Sequence, residues 1–519
     1  MTPDAGPPPD RSVPPSGRRG PRRRSATPPS QRSREADPAR LVAYEVLRAV
    51  DAGAYTNLEL PARLRKSRLG GRDAAFATEL TYGSTRMHGF YDPVIEVASG
   101  RPLEAMEPSV RDLLRIGAHQ LLGMRVPAHA ACDSTVALAR MVRGSGVAGL
   151  VNAVLHRISE RSRDEWLAAV APSDAPALSR LAVETSHPEW VVRALRAALL
   201  GHGTSSHDSV DDDLRMLLEA DNEPAAVMLA LRPGLVDVNE VAAAGAVRGR
   251  YAPTASVLAA GGDPGALAAV RDGRAAVQDE GSQLVALALL AAPVPPLPLP
   301  DRQGEVPSDA SSLVGERWLD LCAGPGGKTG LLAASALSRG ATVFANEISE
   351  HRTQLVRQAV RAAVEAGAQV FVGTGDGRDV GTLEPSTYDR VLLDAPCTGL
   401  GSLRRRPEAR WRRSASDVAA LTALQGELLD SALDAVRPGG LVLYSTCSPH
   451  LAETRFVVTD ALKRAESRGV AVETEDTAQA FASVASVPLT GTGDAPYVQL
   501  WPHLHGTDAM FAALLRRVP

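Results

Sequence analysis

The stretch Asp320-Leu-Cys-Ala-Gly-Pro-Gly-Gly-Lys328-Thr329 (DLCAGPGGKT) decides the fold. An apolar run, Arg317 to Leu321, leads into it, so the glycines belong to a turn between a strand and a helix, where missing side chains let a ligand approach the backbone. The pattern is neither a Walker loop nor a strict GxGxxG. Glu347 closes the next apolar run about 20 residues on, the spacing at which a carboxylate can accept hydrogen bonds from ribose hydroxyls.

Reading outward, short apolar runs alternate with helical stretches: Thr342 to Ile348, Gln369 to Val372, Asp389 to Leu393 and Leu441 to Tyr444. This alternation predicts a parallel sheet flanked by helices, a Rossmann-like α/β domain over 313–519, with its ligands beyond the carboxyl ends of the strands. Asp376 follows the third run, and three strand-end acids favour a cofactor that carries positive charge and donors. S-adenosylmethionine fits better than a dinucleotide, whose pyrophosphate would face the acidic rim. The fourth run ends in Asp394-Ala-Pro-Cys397-Thr-Gly and the fifth in Ser445-Thr-Cys447-Ser-Pro449, which places two thiols on the same edge. Such a pair suits cytosine methylation. C5 of cytosine is a poor nucleophile until a thiolate adds at C6, and a second acid/base group then assists loss of the C5 proton and of the thiol. Asp394 can accept from the cytosine amino group. Spacing alone leaves open which thiol is the nucleophile. Cys132, on a helix, reads as structural.

The front half has a different texture. Residues 1–36 are rich in Pro, Arg and Ser without apolar periodicity, which predicts a disordered basic arm carrying Arg18, Arg19, Arg22, Arg23 and Arg24. Asp37-Pro38 forms a helix start, and helical spacing over Asp73 to Arg86, Pro108 to Leu122 and beyond Ala128 predicts an all-α domain at 37–162. Signals weaken over 163–292, apart from a helical patch at Glu189 to Leu200 and a strand at Val227 to Arg232. This is expected to be a connecting region with a small α+β unit, followed by a Pro-rich linker or loop at 293–312. A chain of 519 residues exceeds one core, and 44% hydrophobic with 22% charged residues is a globular composition.

A formal net charge of −4 confines nucleic-acid affinity to local clusters. Besides the arm there is RRRPEARWRR, in which Arg404, Arg405, Arg406, Arg410, Arg412 and Arg413 surround Trp411 and suggest phosphate contacts with a stacking surface for RNA. The target cytosine is expected flipped or single-stranded. Lysine occurs only at 66, 328 and 463, which singles out Lys328. Four dispersed cysteines exclude a disulfide scaffold and a CxxC-type zinc site, His503 and His505 read as structural, and no metal is expected. With no apolar segment of membrane-spanning length and no apolar leader, a cytoplasmic location without membrane partners is expected.

DLCAGPGGKT, DAPCTG and STCS, in that order, resemble motifs of the Sun/Fmu (ribosomal methyltransferase B) RNA cytosine-C5 methyltransferases of the NOL/NSUN superfamily. GLVNAVLHR (Gly149 to Arg157) resembles a NusB-like RNA-binding domain, VQDEGSQL (Val277 to Leu284) the segment preceding the catalytic core, and YVQLWPHLHGTDAMF (Tyr497 to Phe511) the closing β-hairpin. The resemblance implies Cys447 as nucleophile and Cys397 as the thiol assisting release. It implies that Cys322, Ala323, Gly324, Pro325, Gly326, Gly327, Lys328, Glu347, Asp376 and Asp394 serve the cofactor, with Lys328 a loop or active-site contact. The family's Glu-Asn-Glu after the second thiol is here Glu453-Thr454-Arg455. The expected substrate is small-subunit (16S) ribosomal RNA and the expected state a monomer. tRNA or another RNA is the alternative substrate, and a non-catalytic RNA-binding assembly factor the alternative role.

Overall fold

The computed structural model describes residues 37–259, 261–295 and 315–519. The expected basic arm, and all but the first three residues of the expected linker, lie outside them. Helix α1 (Pro38–Asp51) starts at the anticipated cap: Asp37 Oδ1 accepts from Ala39 N–H at 3.1 Å, and Pro38 takes the first helical position. There follow α2 (Thr56–Lys66), α3 (Gly71–Arg86), α4 (His88–Ser99), α5 (Pro108–Leu122), α6 (Ala128–Arg143) and α7 (Ser145–Ser159). Their apolar faces meet around Leu80, Phe90, Ile95, Leu113, Leu138 and Leu155. A Cβ on Gly117 would fall 2.5 Å from Leu155, so α5 and α7 touch where that glycine lies. The front is all-α, as its periodicity predicts.

The connecting region is more ordered than its sequence suggests. Helices Arg163–Val170, Ala177–Glu184 and Val210–Ala220 accompany the expected one, here Glu189–Gly201. Two of these three are eight residues long, too short for periodicity to speak, although Ser162 and Glu165 form a reciprocal capping box. Leu195, Leu199, Leu214 and Leu217 share a core with Leu400, Leu403 and Trp501, so this region packs directly on the C-terminal domain. A four-stranded antiparallel sheet follows, in the order β2-β3-β1-β4: β1 (Val227–Leu231), β2 (Ala246–Arg248), β3 (Ala255–Leu258) and β4 (Ala275–Val277).

The C-terminal domain is doubly wound. Strands β5 (Arg317–Asp320), β6 (Thr342–Glu347), β7 (Gln369–Thr374), β8 (Tyr388–Asp394) and β9 (Val436–Thr446) pair in parallel. Beyond β9, β12 (Phe511–Arg517) runs antiparallel and pairs with β10 (Val472–Thr474) and the short β11 (Val498–Gln499). Along the sheet the order is β10-β12-β9-β8-β5-β6-β7, so the winding reverses between β5 and β8. In such sheets the ligand crevice opens beyond the strand ends at that reversal. Helices α8 (Gly327–Arg339), α9 (Glu350–Glu365) and α10 (Ala415–Ala435) cover the faces. β9 is longer than its apolar run because Pro438 and Gly439 disguise its first half. Its register against β8 jumps there, from Tyr388↔Val436 to Arg390↔Leu441.

Candidate active site at the strand ends

At the reversal, Cys322, Ala323, Gly324, Pro325, Gly326 and Gly327 carry the chain from β5 into α8. Gly324 N–H donates to Glu347 Oε2 at 3.0 Å and Ser349 N–H to Glu347 Oε1 at 3.1 Å, tying the acid that closes β6 to this loop. A Cβ on Gly324 would lie 2.2 Å from Glu347, and one on Gly326, whose φ is +104°, would lie 2.5 Å from Ala359 of α9. A side chain at either place would push the loop off its neighbours. Asp320, the first residue of the quoted stretch, is 1% exposed. Its Oδ2 accepts from Thr329 Oγ1 at 2.7 Å, while its buried Oδ1 has no partner among the described residues. Burial pushes this carboxyl up to about 7. Asp376 is chelated by Arg378, which holds it below the usual carboxylate range.

This slot has an acid-lined wall, a loop that excludes side chains, and one buried acceptor waiting for a donor. S-adenosylmethionine brings an aminium group, a sulfonium and two ribose hydroxyls, so the residues present fit it. Asp320 entered the sequence reading only as the first of the three strand-end acids and was not named among the cofactor residues; its burial is what sets it apart.

Asp394 ends β8 and binds Lys328 Nζ at 2.6 Å, joining the two sides of the crevice; its Oδ1 accepts from Ser445 Oγ at 3.2 Å. Three residues on, Cys397 Sγ lies 3.5 Å from Cys447 Sγ at the end of β9. The two thiols are unequal. A hydrogen bond from Cys397, assisted by Arg406, lowers the Cys447 thiol below its ordinary value, whereas the same contact and burial push Cys397 well up. Cys447 is thus the more acidic thiol of the pair, and Cys397 the less acidic.

Glu453 holds both cysteine loops. It is fully buried and accepts from Thr398 N–H (2.7 Å), Thr398 Oγ1, Ser448 Oγ (2.6 Å) and Gln425 Nε2 (3.2 Å). Gln425 also donates to Pro396 O at 2.8 Å, and Gly401 N–H donates to Cys447 O at 2.8 Å. The departure from Glu-Asn-Glu has a local reason: Arg455 donates to Gly201 O at 2.6 Å, capping the helix Glu189–Gly201.

The arginine run corrects an expectation. Arg410 is wholly buried and donates to Ser186 O (3.1 Å), Asn222 Oδ1 (2.9 Å) and Asp221 O (3.3 Å), so it cannot reach RNA. Beneath it Asp221, with neither carboxylate oxygen hydrogen-bonded among the described residues, is pushed up to about 7 by burial. Trp411 lies 4.6 Å from His88 and against Gly89 of α4, so its ring is engaged by the helical domain. Arg412 donates to Val50 O and Ala54 O, and Arg405 pairs with the buried Asp508. These side chains join domains because the loop carrying them threads between them. Arg406 and Arg413 remain exposed, and Arg404 is half-buried.

His505 ties the C-terminal turn together, Nδ1 accepting from Trp501 N–H at 2.9 Å. Among the described residues no cluster of His, Cys, Asp or Glu could hold a metal ion, and no helix is long and apolar enough to cross a membrane.

A doubly wound sheet whose switch-point slot suits S-adenosylmethionine, with a pair of thiols at the neighbouring strand ends, defines the C-terminal part as a Rossmann-like methyltransferase domain behind an all-α domain. The comparisons agree. Residues 312–516 match the family described as 16S rRNA methyltransferase RsmB/F, and residues 37–160 match the NusB family. A protein of Mycobacterium tuberculosis, named provisionally as a methyltransferase, is 49% identical over 504 residues, spanning 96% of this chain and 99% of the relative. Ribosomal RNA small subunit methyltransferase B of Pseudomonas putida is 32% identical over 434 residues, spanning 82% and 89%. The crystal structure of PH0851 has the same fold, with a TM-score of 0.72 at 22% identity over 93% of this chain and 99% of that one. The chain belongs to the RsmB/F family of ribosomal RNA methyltransferases, with a NusB-like domain in front, and S-adenosylmethionine is the family's methyl donor.

Proposed function

We propose that this protein methylates C5 of a cytosine in 16S ribosomal RNA through a covalent adduct between Cys447 and C6 of the base. The observation that carries the reading is the unequal thiol pair, 3.5 Å apart and beside the cofactor slot. The Cys447 thiolate forms a bond to C6, and the electron pair of the C5=C6 bond moves onto C5, which becomes an enamine carbon. Bound S-adenosylmethionine supplies an electrophilic methyl group to that carbon. Loss of the C5 proton to a base and expulsion of the Cys447 thiolate then restore the aromatic ring. Cys397, the thiol kept protonated, is placed to protonate or relieve the departing sulfur. Asp394, oriented by Lys328, accepts from the cytosine amino group and fixes the base over the thiolate.

The choice of 16S RNA over tRNA is supported by the names of relatives about 30% identical over most of their length and by the NusB-like front. The test is incubation of the purified chain with methyl-tritiated S-adenosylmethionine and unmodified small-subunit RNA, with tRNA in parallel, followed by nucleoside analysis. 5-Methylcytidine from the ribosomal RNA alone is the expected result. Label in tRNA alone would overturn the substrate, label in another nucleoside would overturn the chemistry, and cofactor binding with no transfer to any RNA would favour a non-catalytic role.

A further inference from the structure

An aromatic residue of the helical domain stands beside Arg406, on the segment that follows Cys397. Tyr55, which precedes α2, is 44% exposed. The guanidinium groups of Arg406 and Arg412 lie 5.7 and 4.8 Å from its ring centre. Arg406 is exposed, and its charge favours the Cys447 thiolate. It follows the turn whose Gly401 N–H is bonded to Cys447 O. Tyr55 and Arg406 thus extend the surface of the active site onto the NusB-like domain. The junction is fixed from beneath, where Thr56 N–H and Oγ1 donate to the buried Glu408 at 3.2 and 3.0 Å.

From Tyr55, α2 runs about 16 Å. At its far end Arg65, Lys66, Arg68 and Arg72 are all exposed. Among the described residues no carboxylate pairs with Lys66, Arg68 or Arg72, and Arg65 meets only Asp263, at 3.7 Å. One helix therefore connects a ring and guanidinium beside the nucleophile to a cluster of uncompensated positive charge. Aromatic faces take bases and free cations take phosphates, the combination that binds single-stranded nucleic acid.

We infer that the RNA strand flanking the target cytosine crosses the NusB-like domain along α2, one nucleotide resting against Tyr55 and Arg406 and its phosphates on Lys66, Arg68 and Arg72. The inference rests on the RNA-methyltransferase reading above and adds the path of the substrate. A fluorescein-labelled single-stranded RNA of small-subunit sequence, titrated by anisotropy at several salt concentrations against the full chain, tests it. Tyr55→Ala should weaken binding about tenfold. The triple variant Lys66→Glu/Arg68→Glu/Arg72→Glu, whose side chains are all exposed, should weaken it further and make the salt dependence shallower by about 2 in slope, at ~0.7 per lost phosphate contact. Arg193→Ala, an exposed arginine on another helix, should leave both unchanged. Wild-type affinity and salt slope in the triple variant would overturn the path even where the wild-type chain makes 5-methylcytidine. If the wild-type chain makes none, the binding data still decide the path, so the two readings fail separately.

Discussion

At Cys447 one neighbour sets the acidity of the thiol. Its acidity is raised first by the hydrogen bond with Cys397 and only then by the charge of Arg406. Cys397→Ala removes the donor, so alkylation of Cys447 by iodoacetamide, followed by mass spectrometry, should shift to higher pH; an unmoved profile would contradict the pairing. Asp320 makes a second prediction. If the cofactor's aminium group donates to Asp320, binding favours the ionised form of a carboxyl that lies near 7 in the free protein. Calorimetric affinity for S-adenosylhomocysteine should therefore fall, by up to about tenfold per unit, as pH drops below 7, and Asp320→Asn should flatten that dependence. An affinity in the wild-type protein that does not vary between acid and alkaline pH would contradict it. The sequence displayed both cysteines as motif residues. Their unequal acidities depend on a 3.5 Å contact across 50 residues of chain, which no local pattern encodes.

Between the elements, Glu453 acts as the clamp that sets this contact, since the loops after β8 and β9 meet at its carboxylate. Glu453→Gln replaces an acceptor oxygen by a donor against groups that themselves donate. Losing one such charged hydrogen bond costs about 1.5–3 kcal/mol, enough to lower the melting temperature by about 3–10 °C. Calorimetry should show that drop, and kcat should fall with little change in cofactor affinity; an unchanged melting temperature would refute the clamp. The strands of the catalytic sheet were readable because parallel buried strands are continuous apolar runs bounded by turns. The motifs were readable because they end those runs. What escaped reading was the element that interrupts its own signal: β9 behind Pro438 and Gly439, the eight-residue helices of the connecting region, and Glu453 within a triplet that departs from the family pattern.

Over the whole molecule, the arginine run separates two jobs that its composition merged. Arg410 is a buried joint between the connecting region and the catalytic domain, and Arg406 is exposed where its charge reaches Cys447. Arg410→Ala should cost about 2–5 kcal/mol, because it leaves Ser186 O, Asp221 O and Asn222 Oδ1 buried without their donor, while the folded fraction keeps its RNA affinity. Arg406→Ala should leave the melting temperature unchanged and raise KM for RNA. Denaturation and steady-state kinetics on the two variants would check the division, and equal effects on KM would contradict it. Sequence showed only that these residues are cationic, since burial is decided by contacts with Ser186, Asp221 and Asn222, about two hundred residues away in the chain. The central claim is covalent catalysis by Cys447. It is tested most directly by incubating labelled small-subunit RNA and S-adenosylmethionine with the Cys397→Ala and Cys447→Ala variants and resolving the products on a denaturing gel. The account predicts an RNA–protein adduct that accumulates with Cys397→Ala and neither adduct nor methylation with Cys447→Ala; methylation by Cys447→Ala at the wild-type rate would contradict it.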